Sequence, residues 1–203
     1  MAFSGFVFLD TETTGIRPSS NAILEIGIVL VDADYNEIDS RHWITKTPGS
    51  NGVLQDLYRS SDRNDEYVQN MHLTSGLKED FEAARIKTPN FYVNAITSWL
   101  SEHDATGMPM CGNTISFDRN FLRVHYPEID DAFHYRSIDV SSIREFYNTR
   151  YPAVAESVKQ KVQEVMGIKD TQHRTISDCR WSMETLRAFD ELGMGQVNHD
   201  RQG

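Results

Sequence analysis

Residues 5–15 read GFVFLDTETTG. An apolar run from Gly5 to Leu9 ends on two acids, Asp10 and Glu12, then on threonines and a glycine. Apolar and aromatic residues in a short run mark a buried strand, and a buried strand gains nothing from bare carboxylates unless their charge is compensated. Residues i and i+2 of a strand share a face, so Asp10 and Glu12 aim at one point if the strand reaches them. Two converging carboxylates share a proton or bind a hard cation.

Outward from this run, the sequence predicts strands at Phe3–Leu9, Ala22–Val31 and Glu37–Lys46, close enough together to form an antiparallel trio. Helix-compatible pieces fill Gly52–Arg85, broken at Gly76, and Thr88-Pro89 reads as an N-cap followed by a first-turn proline. That helix carries Phe91, Ala95, Ile96, Trp99 and Leu100 at helical spacing and ends before Gly107. A short strand, Met108–Cys111, runs through GNTISFD into a helix marked by Phe117, Phe121, Leu122 and His125. Ser137–Val140 is the last predicted strand and leads into a helix through Tyr147. An apolar stripe from Val154 to Met166 closes at Gly167, and a final helix, Ile176–Leu192, closes at Gly193. Three early strands, then helices alternating with short strands, describe an α/β mixed sheet covered by helices, as one domain over 1–194. The polar residues 195–203 are expected to be a disordered tail.

Thirty acids against twenty Lys and Arg give the 203-residue chain a net charge of −10. Such a surface repels long nucleic acid and disfavours a charge-driven, unspecific grip on it. Cys111 and Cys179 form no metal-binding spacing and no disulfide framework. No apolar run approaches the roughly 20 residues of a membrane-spanning helix, and no basic segment precedes the first apolar stretch. A cytoplasmic protein without membrane contact is expected.

Asp118 lies just after a strand, in the first turn of a predicted helix, where α/β proteins place functional side chains. His173 and Asp178, in HRTISD, are five residues apart and cannot share a helix face, which puts Asp178 on the last helix and His173 in the preceding loop. Four acids and one histidine in this order suit two divalent ions, Mg²⁺ or Mn²⁺, that clamp an in-line phosphoryl displacement. A neutral imidazole beside them is placed to take the proton of an attacking water.

The blocks LDTETTG, CGNTISFDRNFL, FHYRSIDVSS and HRTISD resemble the motifs of the DEDD 3′-to-5′ exonucleases with a catalytic histidine. FHYR-x-x-DVSS and MHLTSG resemble the oligoribonuclease branch, which degrades very short RNAs. The resemblance implies an RNase H-like fold, with three antiparallel strands followed by parallel ones. It implies Asp10, Glu12, Asp118 and Asp178 as ligands of two divalent metals, and His173 as general base. It also implies a homodimer acting on short single-stranded RNA down to dinucleotides, with Ile16 as a wedge between the bases and Thr114, Arg136 and Ser141 capping the 5′ phosphate. His72 matches a further cap residue contributed across the dimer interface. Tyr67 stands where the family has a tryptophan, and Tyr135 matches a tyrosine that reaches the partner's site. Thr11 and Thr13 replace apolar residues typical of oligoribonucleases, which brings the first motif closer to the proofreading and RNase T-like branches.

Three other readings compete. A broader exonuclease on single-stranded DNA or longer RNA needs a basic, aromatic channel, and the sequence offers no dense stretch to build one. An aspartyl phosphotransferase is disfavoured because Glu12 replaces the second aspartate of its D-x-D-x-T pattern. A binding module that lost catalysis would lack a carboxylate, and none is missing.

Overall fold

The computed structural model describes residues 4–169 and 172–199. Its first three strands, β1 (Gly5–Thr13), β2 (Ile23–Asp32) and β3 (Glu37–Ile44), form an antiparallel meander. Helices α1 (Pro48–Arg59), α2 (Arg63–Thr74), α3 (Leu77–Ala83) and α4 (Pro89–Glu102) follow, then β4 (Pro109–Gly112), α5 (Ser116–His125) and α6 (Pro127–Asp131). The chain continues through β5 (His134–Asp139), α7 (Val140–Arg150), α8 (Pro152–Met166) and α9 (Thr175–His199). The sheet order is β3-β2-β1-β4-β5, with β4 parallel to β1 and β5 parallel to β4. This is the predicted mixed sheet, with β1 near its middle and β5 at an edge.

Strand alternation sorts the core into two layers. Val7 and Leu9 of β1, with Ile26, Ile28 and Leu30 of β2, pack against Ile96, Trp99 and Leu100 of α4 and Phe121 and Leu122 of α5. Phe8, Val29 and Val31 face the other way, against Cys179, Met183 and Leu186 of α9. Asp10 and Glu12 continue the Phe8 face, so they point toward α9, whereas Thr11 continues the face covered by α5. On β2 the same parity turns Glu25 and Gly27 toward α9.

Several elements depart from the sequence expectation. Strand β1 persists four residues beyond Leu9 because its pairing with β2 continues through Glu12↔Glu25 to Thr13↔Ile23, past the last apolar residue. Backbone hydrogen bonds, not side-chain hydrophobicity, carry the acids on the strand. Strand β5 starts at His134, earlier than predicted, and Val140 already belongs to α7. Thr88 stands at the N-cap of α4, yet its side chain makes no capping hydrogen bond. Helix α9 runs past Gly193 to His199, since an interior glycine costs about 1 kcal/mol but does not by itself end a helix. The expected tail at 195–203 therefore overlaps α9 as far as His199, and 200–203 lie outside the described residues.

Helix α9 can approach β2 because Gly27 has no side chain. A Cβ added there would lie 2.3 Å from Thr175 Oγ1 and 2.5 Å from Thr175 Cβ. Gly27→Ala is therefore expected to destabilise the protein by about 1–3 kcal/mol, as overpacking does, measured by chemical denaturation. It should also displace the start of α9, and with it the loop that carries His173.

Candidate active site

The C-terminal end of β1, the first turn of α5 and the loop leading into α9 meet at a cleft of about 870 Å³, which Asp10, Glu12, Asp118, His173 and Asp178 all line. Glu12, Asp118 and Asp178 are only 6%, 3% and 9% exposed. Ligand atoms of Glu12, His173 and Asp178 all lie within 4.8 Å of one another. The five residues singled out in the sequence thus come together from three separate segments.

Burial and the repulsion of neighbouring acids govern the protonation of Asp10 and Glu12, and burial that of Asp118. Asp10 is held well above the usual carboxylate range by burial first and by the charges of Asp118 and Glu12 next. Glu12 is raised in the same way, by burial and then by Asp178 and Glu25. Burial pushes Asp118 up to about 7, although hydrogen bonds from Thr11 pull in the other direction. Carboxylates buried so close together are stable in ionised form only beside compensating positive charge. All are oxygen donors, and an imidazole stands at their edge, so the set fits divalent cations.

Each side chain has a local reason for its place. Thr11, on the opposite face of β1 from the acids, donates to Asp118 Oδ1 through both its amide (2.9 Å) and its hydroxyl (2.7 Å). Gln172 donates its amide to Asp178 Oδ1 at 3.1 Å, folding the loop back on the first turn of α9. Between them His173 adopts a left-handed backbone, φ 54°, a conformation that costs a non-glycine residue free energy.

The substrate-binding residues expected from the resemblance divide into three groups. Ile16, 78% exposed, and Tyr67, 64% exposed, both line the cleft and offer apolar surface to a planar group. Thr114 and Ser141 meet, with their hydroxyls 3.1 Å apart and the Thr114 amide donating to Ser141 Oγ at 2.9 Å. Of these two, Thr114 lines the cleft. Arg136 and Tyr135 are exposed on β5 and stacked on each other, the guanidinium carbon 5.2 Å from the ring centre, and neither lines the cleft.

Within one protomer His72 is 1% exposed, with Nε2 3.1 Å from the Thr13 carbonyl oxygen, so it is packed beneath β1. Burial lowers its pKa to about 4, which keeps the ring neutral near pH 7. Its position supports the strand that carries the acids.

Residues 7–186 match the RNase T family, described as Exonuclease. Oligoribonucleases of Idiomarina loihiensis and Aromatoleum aromaticum are 31% and 32% identical to the chain, covering 91% and 90% of it and 92% and 91% of their own lengths. The chain belongs to the oligoribonuclease branch of the exonuclease family. Among solved structures, E. coli exonuclease I in its zinc-bound complex with single-stranded DNA matches 97% of this chain at 16% identity, with a TM-score of 0.59. The exonuclease I of Methylocaldum szegediense gives the same TM-score over 93%. The present exonuclease spans 43% and 40% of those chains, and the likeness fixes the fold as RNase H-like.

Sequence reasoning missed Glu25. It is 1% exposed on β2, directly opposite Glu12 in the strand register, and Arg174 and His42 are its ion-pair partners. The signal was a lone acid inside ILEIGIVL, two residues before Gly27 and on the same strand face.

The raised pKa of Asp118 has a testable consequence in the cation-free exonuclease. A carboxyl group at about 7 when folded and near 3.8 when unfolded adds stability that is present at low pH and lost as pH rises through 7. In chelator, the wild type should therefore gain about 0.8 kcal/mol in total on acidification from pH 8 to pH 6.5, the slope steepening toward about 1.4 kcal/mol per pH unit below pH 6. Asp118→Asn should be the more stable protein at pH 8 and gain less. Thermal unfolding of both proteins across this window checks it.

Proposed function

We propose that this chain is a 3′-to-5′ exoribonuclease that hydrolyses short single-stranded RNAs, down to dinucleotides, to 5′-mononucleotides. The observation that carries the reading is the convergence of Glu12, His173 and Asp178 within 4.8 Å, beside Asp10 and the buried Asp118, in one open cleft. Asp10, Glu12, Asp118 and Asp178 are the residues that would hold two divalent ions, Mg²⁺ or Mn²⁺. Bound there, such ions would neutralise the carboxylates, polarise the phosphate and lower the pKa of a water.

A ring nitrogen of His173 accepts the proton of the attacking water, whose oxygen forms the new bond to phosphorus. The bond from phosphorus to the 3′ oxygen of the preceding nucleotide breaks, leaving that nucleotide as the new 3′ end. Ile16 and Tyr67 flank the cleft as stacking surfaces for bases. Thr114 and Ser141 supply hydroxyls, with Arg136 completing a cap on the 5′ phosphate when its exposed side chain swings toward them.

Charge supports a short substrate. Six cleft-lining residues are acids, Asp62 and Asp65 among them, whereas Arg17 is the one Lys or Arg among the described residues that line it. A long polyanion finds no basic track there, while a dinucleotide presents few phosphates. A homodimer belongs to the same reading: β5 is an edge strand, and Tyr135, 72% exposed on it, is available to reach a partner's cleft. Cytoplasmic placement fits the two buried free cysteines. Among the described residues, no helix is long and apolar enough to cross a membrane.

A time course on 5′-labelled RNAs of about two to ten nucleotides, with matching DNAs, tests the substrate class. Selective clearance of the shortest RNAs is expected, and faster loss of the longest RNAs or of DNA would sink the proposal. Asp10→Ala should fold and lose nearly all turnover. His173→Ala should lower kcat by about 10²–10⁴-fold with a smaller effect on KM, as removal of a general base does.

A further inference from the structure

The pair of buried Glu25 and half-buried Arg174 stands next to the site without lining the cleft. Both oxygens of Glu25 are engaged. Oε1 accepts from Arg174 Nη2 at 3.0 Å and faces His42 Nδ1 at 2.5 Å, while Oε2 accepts from Arg174 Nε at 3.3 Å and from the Thr175 amide at 3.1 Å. With this many donors and 1% exposure, Glu25 is turned to its protein partners, and it does not line the cleft. Its ionised form is secured by these bonds and lies at about 2, below the usual carboxylate range despite burial.

Arg174 is tied at further points. Its Nη1 donates to the Ser75 carbonyl oxygen at 3.3 Å, in the turn between α2 and α3, and Nη2 meets Asp80 Oδ2 of α3 at 2.8 Å. One guanidinium thus joins β2, the α2–α3 turn and the loop before α9. The residue preceding it is His173, held at φ 54°. Such a backbone persists only where its surroundings over-determine it, and a forked cation pairing with a buried carboxylate supplies that restraint.

We infer that Glu25 and Arg174 are positioning residues, a latch that fixes the His173 backbone so that the imidazole faces the cleft. The latch rests on the reading of His173 as the general base. It acts through His173 alone, without touching substrate.

A double-mutant cycle separates this role from a merely structural one. Single-turnover cleavage of a 5′-labelled RNA dinucleotide is measured for wild type, Arg174→Lys, His173→Ala and the double variant, with the KM of each. Lysine keeps the charge and loses the fork. Arg174→Lys should lower kcat about tenfold or more in the wild-type background, with KM within about threefold, and change the rate by less than about twofold when His173 is already alanine. Equal fractional losses in both backgrounds, or no loss in the first, would overturn the latch while leaving the general-base reading intact. A His173→Ala protein at the wild-type rate would overturn both. If Arg174→Lys does not fold, Glu25→Gln, which retains the side-chain shape, enters the same cycle under the same criteria.

Discussion

Repulsion among carboxylates buried at the end of β1 is the constraint around which the molecule is arranged. Asp10, Glu12, Asp118 and Asp178 each raise the free energy of at least one other by proximity, and burial multiplies the effect. A fold optimised for stability alone would scatter these groups over the surface. Here the pairing of β1 with β2 holds Asp10 and Glu12 in place, which a side-chain charge cannot easily break, and the hydrogen bonds from Thr11 hold Asp118 beside them. Divalent cations held among these carboxylates would relieve the stored repulsion.

Around that cluster the two core layers have different tasks. The layer under α4 and α5 is continuous and apolar, and it delivers Asp118 from the face opposite Asp10 and Glu12. The layer under α9 is where the acids point, and its packing depends on Gly27 letting Thr175 sit directly on β2. Bringing α9 this close places Asp178 and the His173 loop over the acids, and it also places Arg174 over Glu25. Sheet geometry and site geometry are therefore set by the same contact.

Legibility in the sequence followed the range of the interactions involved. Asp10 and Glu12 were readable from strand parity, and His173 was placed in a loop by helix geometry alone, because these relations span a few residues. Thr114 and Ser141 needed the family resemblance, being 27 residues apart when they meet. Glu25 and Arg174, 149 residues apart, left no local trace beyond an acid in an apolar strand. His72 shows a related limit, since its motif was readable but its burial was not. Exposure is decided by what α2 packs against, and no local pattern encodes that.

The threonines of DTETT separate into distinct roles once parity is applied. Thr13 turns its hydroxyl to the Gly15 carbonyl oxygen at 2.7 Å and Thr14 accepts the Ala22 amide at 2.9 Å, so both shape the turn that presents Ile16. Thr11 instead gives Asp118 a hydroxyl bond in addition to the backbone bond that any residue there could make. Hydrogen bonds to a charged group contribute roughly 1.5–3 kcal/mol, enough to offset part of the burial that pushes Asp118 toward protonation. An apolar residue at position 11 would keep the backbone bond and forgo that offset, leaving compensation to cations. The departure from the oligoribonuclease pattern at this position is thus a change in how one carboxylate is held, and it need not signal a different substrate.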